Sequence, residues 1–128
     1  MIAVIGDGSL SGGEALEGLD FAAELQSNFI IIVNDNDMSI AENHGGLYQN
    51  LALLRKTDGK AECNLFKAMG LDYVYVDRGN DVAALIKAFK EVKDSTKPVV
   101  VHINTLKARV MPLQKNARSS GITAARSI

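Results

Sequence analysis

Two short polar segments each follow an apolar run within the first 40 residues. Gly6-Asp7-Gly8-Ser9 comes after the run that begins at Met1, and Asn34-Asp35-Asn36-Asp37 comes after "FIIIV". Carboxylate and amide oxygens are ligands for hard cations such as Mg²⁺, which commonly join one or two protein oxygens to a substrate's phosphates. The glycines beside Asp7 let a ligand approach the backbone closely. Together the two segments predict a diphosphate held through Mg²⁺.

Either segment alone is a weak signal. Gly-Asp-Gly is common in tight connections, and Asn-Asp-Asn-Asp has the ordinary composition of a turn. The pair becomes specific only if the fold brings the two segments to the same place.

The apolar runs predict the elements that position these segments. Continuous apolar runs at 1–6, 28–34, 71–77 and 98–104 predict strands buried on both faces. Helical spacing predicts helices at about 11–26, 47–56, 61–70 and 81–94. The first is predicted to begin at a capping box made by Ser11 and Glu14. The last has one apolar face, formed by Val82, Leu85, Ile86, Phe89 and Val92. This alternation predicts an α/β fold, a parallel sheet with helices on both faces, whose ligands bind at the carboxyl ends of the strands.

Composition limits the class of protein. The 128 residues are enough for one domain, and 47% hydrophobic with 23% charged residues is ordinary for a globular chain. A net charge of −1 gives no electrostatic basis for a nucleic-acid or membrane partner. The longest apolar runs are too short to span a bilayer, and we expect no leader segment. The single cysteine, Cys63, is predicted to be an inert core thiol, and we expect a cytoplasmic protein.

The two histidines have ordinary predicted roles. His44 lies in a polar loop near the predicted site and is expected at the surface, with substrate contact as the alternative. His102 falls within an apolar strand pattern and is expected to be a hydrogen-bonded core residue.

A family resemblance adds a cofactor to this picture. "GDGSLSGGEALEGL", followed about 20 residues later by "NDNDMSIAENHGGL", resembles the thiamine diphosphate motif of the transketolase superfamily, and in particular that of the 1-deoxy-D-xylulose-5-phosphate synthase family. The resemblance runs from about Ile2 to Leu106. It implies thiamine diphosphate and Mg²⁺ as cofactors, and a reaction of isoprenoid biosynthesis that joins a pyruvate-derived unit to glyceraldehyde 3-phosphate.

The resemblance also implies roles for individual residues. Asp7 matches the metal-binding aspartate, and Gly8 and Ser9 match residues along the diphosphate. Asn36 matches an amide that binds the metal and touches the cofactor, and Met38 matches a position whose backbone carbonyl completes the metal shell. No residue of this chain is predicted to be catalytic.

The resemblance covers a partial thiamine-diphosphate-binding domain, residues 1–106. In the family, a glutamate that activates the cofactor comes from a second domain. We therefore expect this chain to be inactive alone, and to self-associate or to bind a complementary chain. The alternatives are a transketolase, one subunit of a split enzyme, or a non-catalytic remnant. A nucleotide-binding module is less favoured because the chain lacks a G-x-G-x-x-G pattern.

Residues 107–128 form a basic tail without sustained periodicity. Its alternatives are a solvated or disordered tail and a frameshift. Where the family has a "GKGY" motif, this chain reads Ala108, Arg109, Val110 and Met111. Codons exist for the whole tail such that restoring one G after the Lys107 codon yields that motif. The hypothesis is out-of-frame translation, and it fails if the genomic DNA cannot be read in this way.

Overall fold

The computed structural model describes residues 1–37 and 44–106. No helix within this part of the chain is long and apolar enough to cross a bilayer. The strands are β1 (Ile2–Gly6), β2 (Ile30–Asp35), β3 (Asp72–Val76) and β4 (Val99–Asn104), and the helices are α1 (Asp7–Leu10), α2 (Gly13–Ala23), α3 (Gly46–Lys56), α4 (Leu65–Ala68) and α5 (Val82–Val92).

The four strands form one parallel sheet in the order β1-β2-β4-β3. Residues Gly6 and Asn34 are neighbours across β1 and β2, and Asp35 is the neighbour of Asn104 across β2 and β4. All four strands therefore end at the same edge of the sheet. The predicted parallel α/β fold is confirmed.

Helices cover both faces of the sheet and enclose two apolar cores. On one face, side chains of α1 to α4 pack on β2 and β4 around Leu54, Phe66 and Val100. On the other face, Ala88 and Val92 of α5 pack against Val101 and its neighbours. Burial of these side chains is the main favourable term for docking each helix.

Two helix starts follow from side chains that accept backbone N–H groups. Asp81 accepts from Ala83 and Ala84, so α5 begins where the sequence predicts. Asn64 accepts from Phe66 and Lys67, so α4 begins only at Leu65. The helix predicted over 61–70 is therefore a single turn. Cys63 precedes it and is exposed, so the prediction of a core thiol is wrong.

The helix predicted over 11–26 is also divided. The chain turns through α1, Gly12 is extended, and α2 begins at Gly13 without a side-chain cap. The predicted capping role of Ser11 is wrong because its hydroxyl instead pairs with the hydroxyl of Tyr48, at 2.8 Å. This contact joins the segment after β1 to α3.

The prediction that β1 is buried on both faces is wrong as well. Ile2 and Val4 pair in register with Ile30 and Ile32, on the α5 face of the sheet, yet are 64% and 69% exposed. The apolar face predicted for the last helix is only partly buried, since Val82 and Ile86 are 69% and 49% exposed. The reason is position: β1 is an edge strand, and within the described residues α5 packs on the other three strands and leaves this face of β1 open.

Candidate functional site

The two polar segments meet at the carboxyl edge of β1 and β2. Because Gly6 lies beside Asn34, each segment continues from a strand end adjacent to the other. Asp7 opens α1 and is 3% exposed, whereas Gly8 and Ser9 are exposed. This juxtaposition is the condition under which the pair of motifs becomes specific.

The residues from Asn34 to Asp37 were predicted together as oxygen donors, and the structure assigns them different surroundings. Asn34 accepts a hydrogen bond from the hydroxyl of Thr105 at 2.7 Å. The side chain of Asp35 points into the protein and is fully buried. Asn36 is half-buried, and Asp37 is exposed with a left-handed backbone, φ 53°.

Asp35 is thus a structural carboxylate and not a candidate metal ligand. Its Oδ2 accepts from Arg55 Nη1 at 2.6 Å and pairs with His102 Nε2 at 2.8 Å. Its Oδ1 accepts the backbone N–H of Asp37 at 3.1 Å. The prediction of Asp35 as an oxygen donor for a ligand was wrong because the sequence around it has the composition of a turn. The residue in fact belongs to β2, whose alternation places it on the buried face with Ile31 and Val33.

His102 is fully buried and hydrogen-bonded through both ring nitrogens, which confirms its predicted core role. Its Nδ1 lies 2.8 Å from the hydroxyl of Tyr73. Because an ionised Asp35 can only accept, His102 Nε2 donates to it, and His102 Nδ1 pairs with the Tyr73 hydroxyl. Both ring nitrogens of His102, Asp35 Oδ2 and the Tyr73 hydroxyl therefore each have a hydrogen-bond partner.

The charges in this network set the protonation of two groups. Burial by itself would raise the pKa of Asp35, but hydrogen bonds from His102 and Arg55, together with their charges, hold that pKa below its ordinary value of 3.8. Burial raises the pKa of the Tyr73 phenol above its ordinary range. Asp35 is therefore charged and Tyr73 is neutral at physiological pH.

Two residues of α3 that the sequence did not single out contact the site. Arg55 binds Asp35 and also donates to Asp37 Oδ1 at 2.7 Å. Tyr48 pairs with Ser11 and donates to the carbonyl of Gly8 at 3.5 Å. Their spacing of seven residues places them on one side of the helix and is the signal that could have identified them.

The remaining predicted site residues have simpler outcomes. His44 is exposed, as expected. Met38 lies outside the described residues. In the described part of the chain, no group of three or more His, Cys, Asp and Glu side chains is arranged to hold a metal by itself. The donor set still fits Mg²⁺ bound together with a diphosphate, because such a site needs only one or two protein carboxylates and oxygen donors such as Asn36.

Comparison with solved structures places the fold in a class. The chain superposes on a transketolase from Pichia stipitis, solved in complex with xylulose 5-phosphate, with a TM-score of 0.55 and 25% identity. The match covers 81% of this chain and 14% of the transketolase chain. The sheet and helices thus define a transketolase-like α/β domain.

Sequence comparison gives the family. The family model of 1-deoxy-D-xylulose-5-phosphate synthase matches residues 1–64 and 56–105. Curated synthases are 39% identical over 112 residues in Myxococcus xanthus and 35% identical over 127 residues in Listeria monocytogenes, covering 88% and 94% of this chain. The chain belongs to the 1-deoxy-D-xylulose-5-phosphate synthase family.

The chain spans only about a fifth of the length of these relatives, 18% of the Myxococcus protein and 21% of the Listeria protein. The two matched ranges of the family model overlap at 56–64, between α3 and α4. The match ends at residue 105, directly after β4.

The pairing of Asp35 predicts a specific loss of stability in acid. The folded-state pKa of Asp35 lies below the unfolded value, so its contribution is fully present above about pH 4 and is lost as the pH falls through the folded value. Asp35→Asn leaves Arg55 without this buried partner and should cost about 3–5 kcal/mol at pH 7. Urea unfolding from pH 7 to pH 2.5 should show the difference from the unmodified chain shrinking below pH 4.

The matched control is Asp94→Asn, an exposed carboxylate paired with Lys93 at the surface, which should change stability by less than about 1 kcal/mol at any pH. A difference between Asp35→Asn and the unmodified chain that stays constant from pH 7 to pH 2.5 would contradict the assignment of Asp35 as the buried anion.

Proposed function

We propose that this chain binds thiamine diphosphate through Mg²⁺ at the carboxyl edge of β1 and β2. The observation that supports this most strongly is the pairing of Gly6 with Asn34, which brings the two motif segments together. Membership of a thiamine-diphosphate-dependent family supports the identity of the ligand. The oxygen-rich donor set supports a hard cation.

Each predicted residue has a role in this proposal. The carboxylate of Asp7 and the side-chain oxygen of Asn36 bind Mg²⁺, with the backbone carbonyl of Met38 as a further ligand. The exposed Gly8 and Ser9 lie along the diphosphate, where the glycine leaves room for close approach of the backbone. Asn36 also touches the cofactor.

The corresponding activity is the synthase reaction, in which pyruvate and glyceraldehyde 3-phosphate are joined with release of carbon dioxide. When bound, thiamine diphosphate supplies the carbanion chemistry, while protein residues bind and orient it. The described residues contribute to holding the diphosphate and its metal. For this chain alone we therefore propose cofactor binding without turnover. We also propose a cytoplasmic location, because a chain with a single cysteine forms no internal disulfide and fits a reducing compartment.

Removal of the Asp7 carboxylate should abolish cofactor binding, because a hard cation loses its charged protein ligand. In calorimetric titrations with thiamine diphosphate and Mg²⁺, the unmodified chain should bind and Asp7→Asn should not. With pyruvate and glyceraldehyde 3-phosphate, neither protein should release carbon dioxide.

The matched control is Asp20→Asn, an exposed aspartate on α2, which should bind like the unmodified chain. Circular dichroism must show the same fold in all three proteins. Equal affinity of Asp7→Asn and the unmodified chain would remove Asp7 from the site, and no binding by the unmodified chain would overturn the proposed function.

We further propose that a second copy of the chain covers the open face of β1. Ile2 and Val4 are exposed there, and Val82 and Ile86 are exposed on α5, which covers the same side of the sheet. Exposed apolar side chains grouped on one side of a sheet are typical of a contact surface. The alternative occupant is a complementary chain of the same family.

Sedimentation velocity over a range of concentrations should show a dimer for the unmodified chain and a larger monomer fraction for Val4→Ser. Leu53→Ser, at an apolar side chain on α3 that is 37% exposed, is the control and should sediment like the unmodified chain. A monomer at every concentration would contradict self-association and favour the complementary chain.

A further inference from the structure

We infer that Arg55 is a positioning residue for the metal-binding turn: by binding Asp35 and Asp37 together, it fixes the backbone on both sides of Asn36. This inference rests on the proposed function, because Asn36 is there a ligand of Mg²⁺. Arg55 itself is not proposed to touch the metal or the cofactor.

The guanidinium of Arg55 joins two carboxylates that are separated by one residue. Nη1 lies 2.6 Å from Asp35 Oδ2, and Nη2 lies 2.7 Å from Asp37 Oδ1. The rigid, planar fork of arginine sets the distance between the two carboxylates. Asn36 lies between them in sequence, so both of its peptide neighbours are held by the same group.

The two anchors differ in strength and in what they hold. Asp35 is fully buried and also bound by His102, so it ties the turn to the core of the sheet. Asp37 has a side chain that is 70% exposed, and it adopts a left-handed backbone that non-glycine residues rarely choose. The bond from Arg55 and the bond from its own N–H to Asp35 Oδ1 compensate for that conformation.

The same helix also reaches the other half of the site. Tyr48, two turns before Arg55 on α3, bonds Ser11 and the carbonyl of Gly8. The polar segments 6–9 and 34–37 are thus both held by side chains of α3, whose Leu51 and Leu54 are buried in the core. A shift of α3 would therefore move both halves of the site at once.

Groups that orient metal ligands from outside the coordination shell affect affinity without touching the metal, and their loss typically costs about 10- to 100-fold in metal affinity. Arg55 meets this description because it holds the neighbours of Asn36 and bears a positive charge that is itself neutralised by two carboxylates. Lysine cannot replace it, since a single ammonium group lacks the fork that reaches both carboxylates.

The test is Arg55→Lys in the full 128-residue chain, which keeps a cation beside the buried Asp35 but removes the fork. Affinity for Mn²⁺, in the presence of saturating thiamine diphosphate, is read from the electron paramagnetic resonance signal of free Mn²⁺. We expect Arg55→Lys to bind Mn²⁺ about 10- to 100-fold more weakly than the unmodified chain. The control Arg78→Lys, which alters an exposed arginine paired with Asp81 on the surface, should change the affinity less than twofold.

A second variant separates positioning from general loss of structure. Asp37→Asn weakens only the outer contact, and asparagine tolerates the left-handed backbone, so its thermal midpoint should stay within a few degrees of the unmodified chain while Mn²⁺ affinity falls. If Asp37 acts through Arg55, the fold-loss of Mn²⁺ affinity in the double variant Arg55→Lys/Asp37→Asn should be smaller than the product of the two single fold-losses. The Mn²⁺ affinity and thermal midpoint of Asp37→Asn alone can be measured even if Arg55→Lys does not fold.

The outcomes are distinguishable from failure of the proposed function. If the unmodified chain binds Mn²⁺ with thiamine diphosphate and both variants bind equally well, the positioning role is overturned and the proposed function stands. If the losses of Mn²⁺ affinity multiply fully in the double variant, Asp37 acts independently of Arg55, and the positioning role is also overturned. If the unmodified chain does not bind, both proposals fail.

Discussion

The carboxylate of Asp35 is fully buried at the carboxyl end of β2, and a negative charge is stable there because Arg55 and His102 both bind it. This requirement connects elements that are far apart in the sequence. Arg55 fixes the end of α3 against the sheet, while His102 couples the centre of β4 to β2 and, through Tyr73, to β3. The positions of the strand ends at the site therefore depend on the buried carboxylate of Asp35 and its partners.

That arrangement separates structural roles from the proposed ligand-binding role within four consecutive residues. Asn34 and Asp35 are engaged with Thr105 and with the buried network, whereas Asn36 follows them in the chain and is half-buried. The four residues are therefore not equivalent oxygen donors: the first two anchor the segment within the protein, and Asn36 is the amide proposed to bind the metal. The chemistry proposed for the site needs both, because a ligand residue is effective only where its backbone is held.

Much of this fold could be predicted from the sequence because strands and their ends are local features. The apolar runs place all four strands to within about two residues, and Asp81 marks the start of α5 through its own side chain. The exposure of Ile2 and Val4 could not be predicted in this way. An apolar run has the same composition whether or not a neighbouring element covers it, and the cover of an edge strand is decided by topology.

The site shows the same division. Residue types and spacing predict the two polar segments, and the register of β1 and β2 brings these segments together. The individual roles of Asp7, Gly8, Ser9 and Asn36 come from the family resemblance and remain predictions. The roles of Arg55 and Tyr48 could not be predicted because their partners Asp35 and Ser11 lie 20 and 37 residues away in the sequence. Cys63 was assigned to the core from a helical pattern that Asn64 interrupts by capping a helix after it. Long-range pairing and the choice between two local signals are therefore what the sequence left open.

We propose that the two polar segments form one metal–diphosphate site. A crystal structure of the chain grown with Mn²⁺ and thiamine diphosphate tests it most directly, since the anomalous signal locates the ion. We expect one peak between the ends of β1 and β2, within coordination distance of oxygens of Asp7 and Asn36, with the diphosphate beside Gly8 and Ser9. Cofactor bound elsewhere, or an ion that contacts Asp35 in place of Asn36, would contradict it.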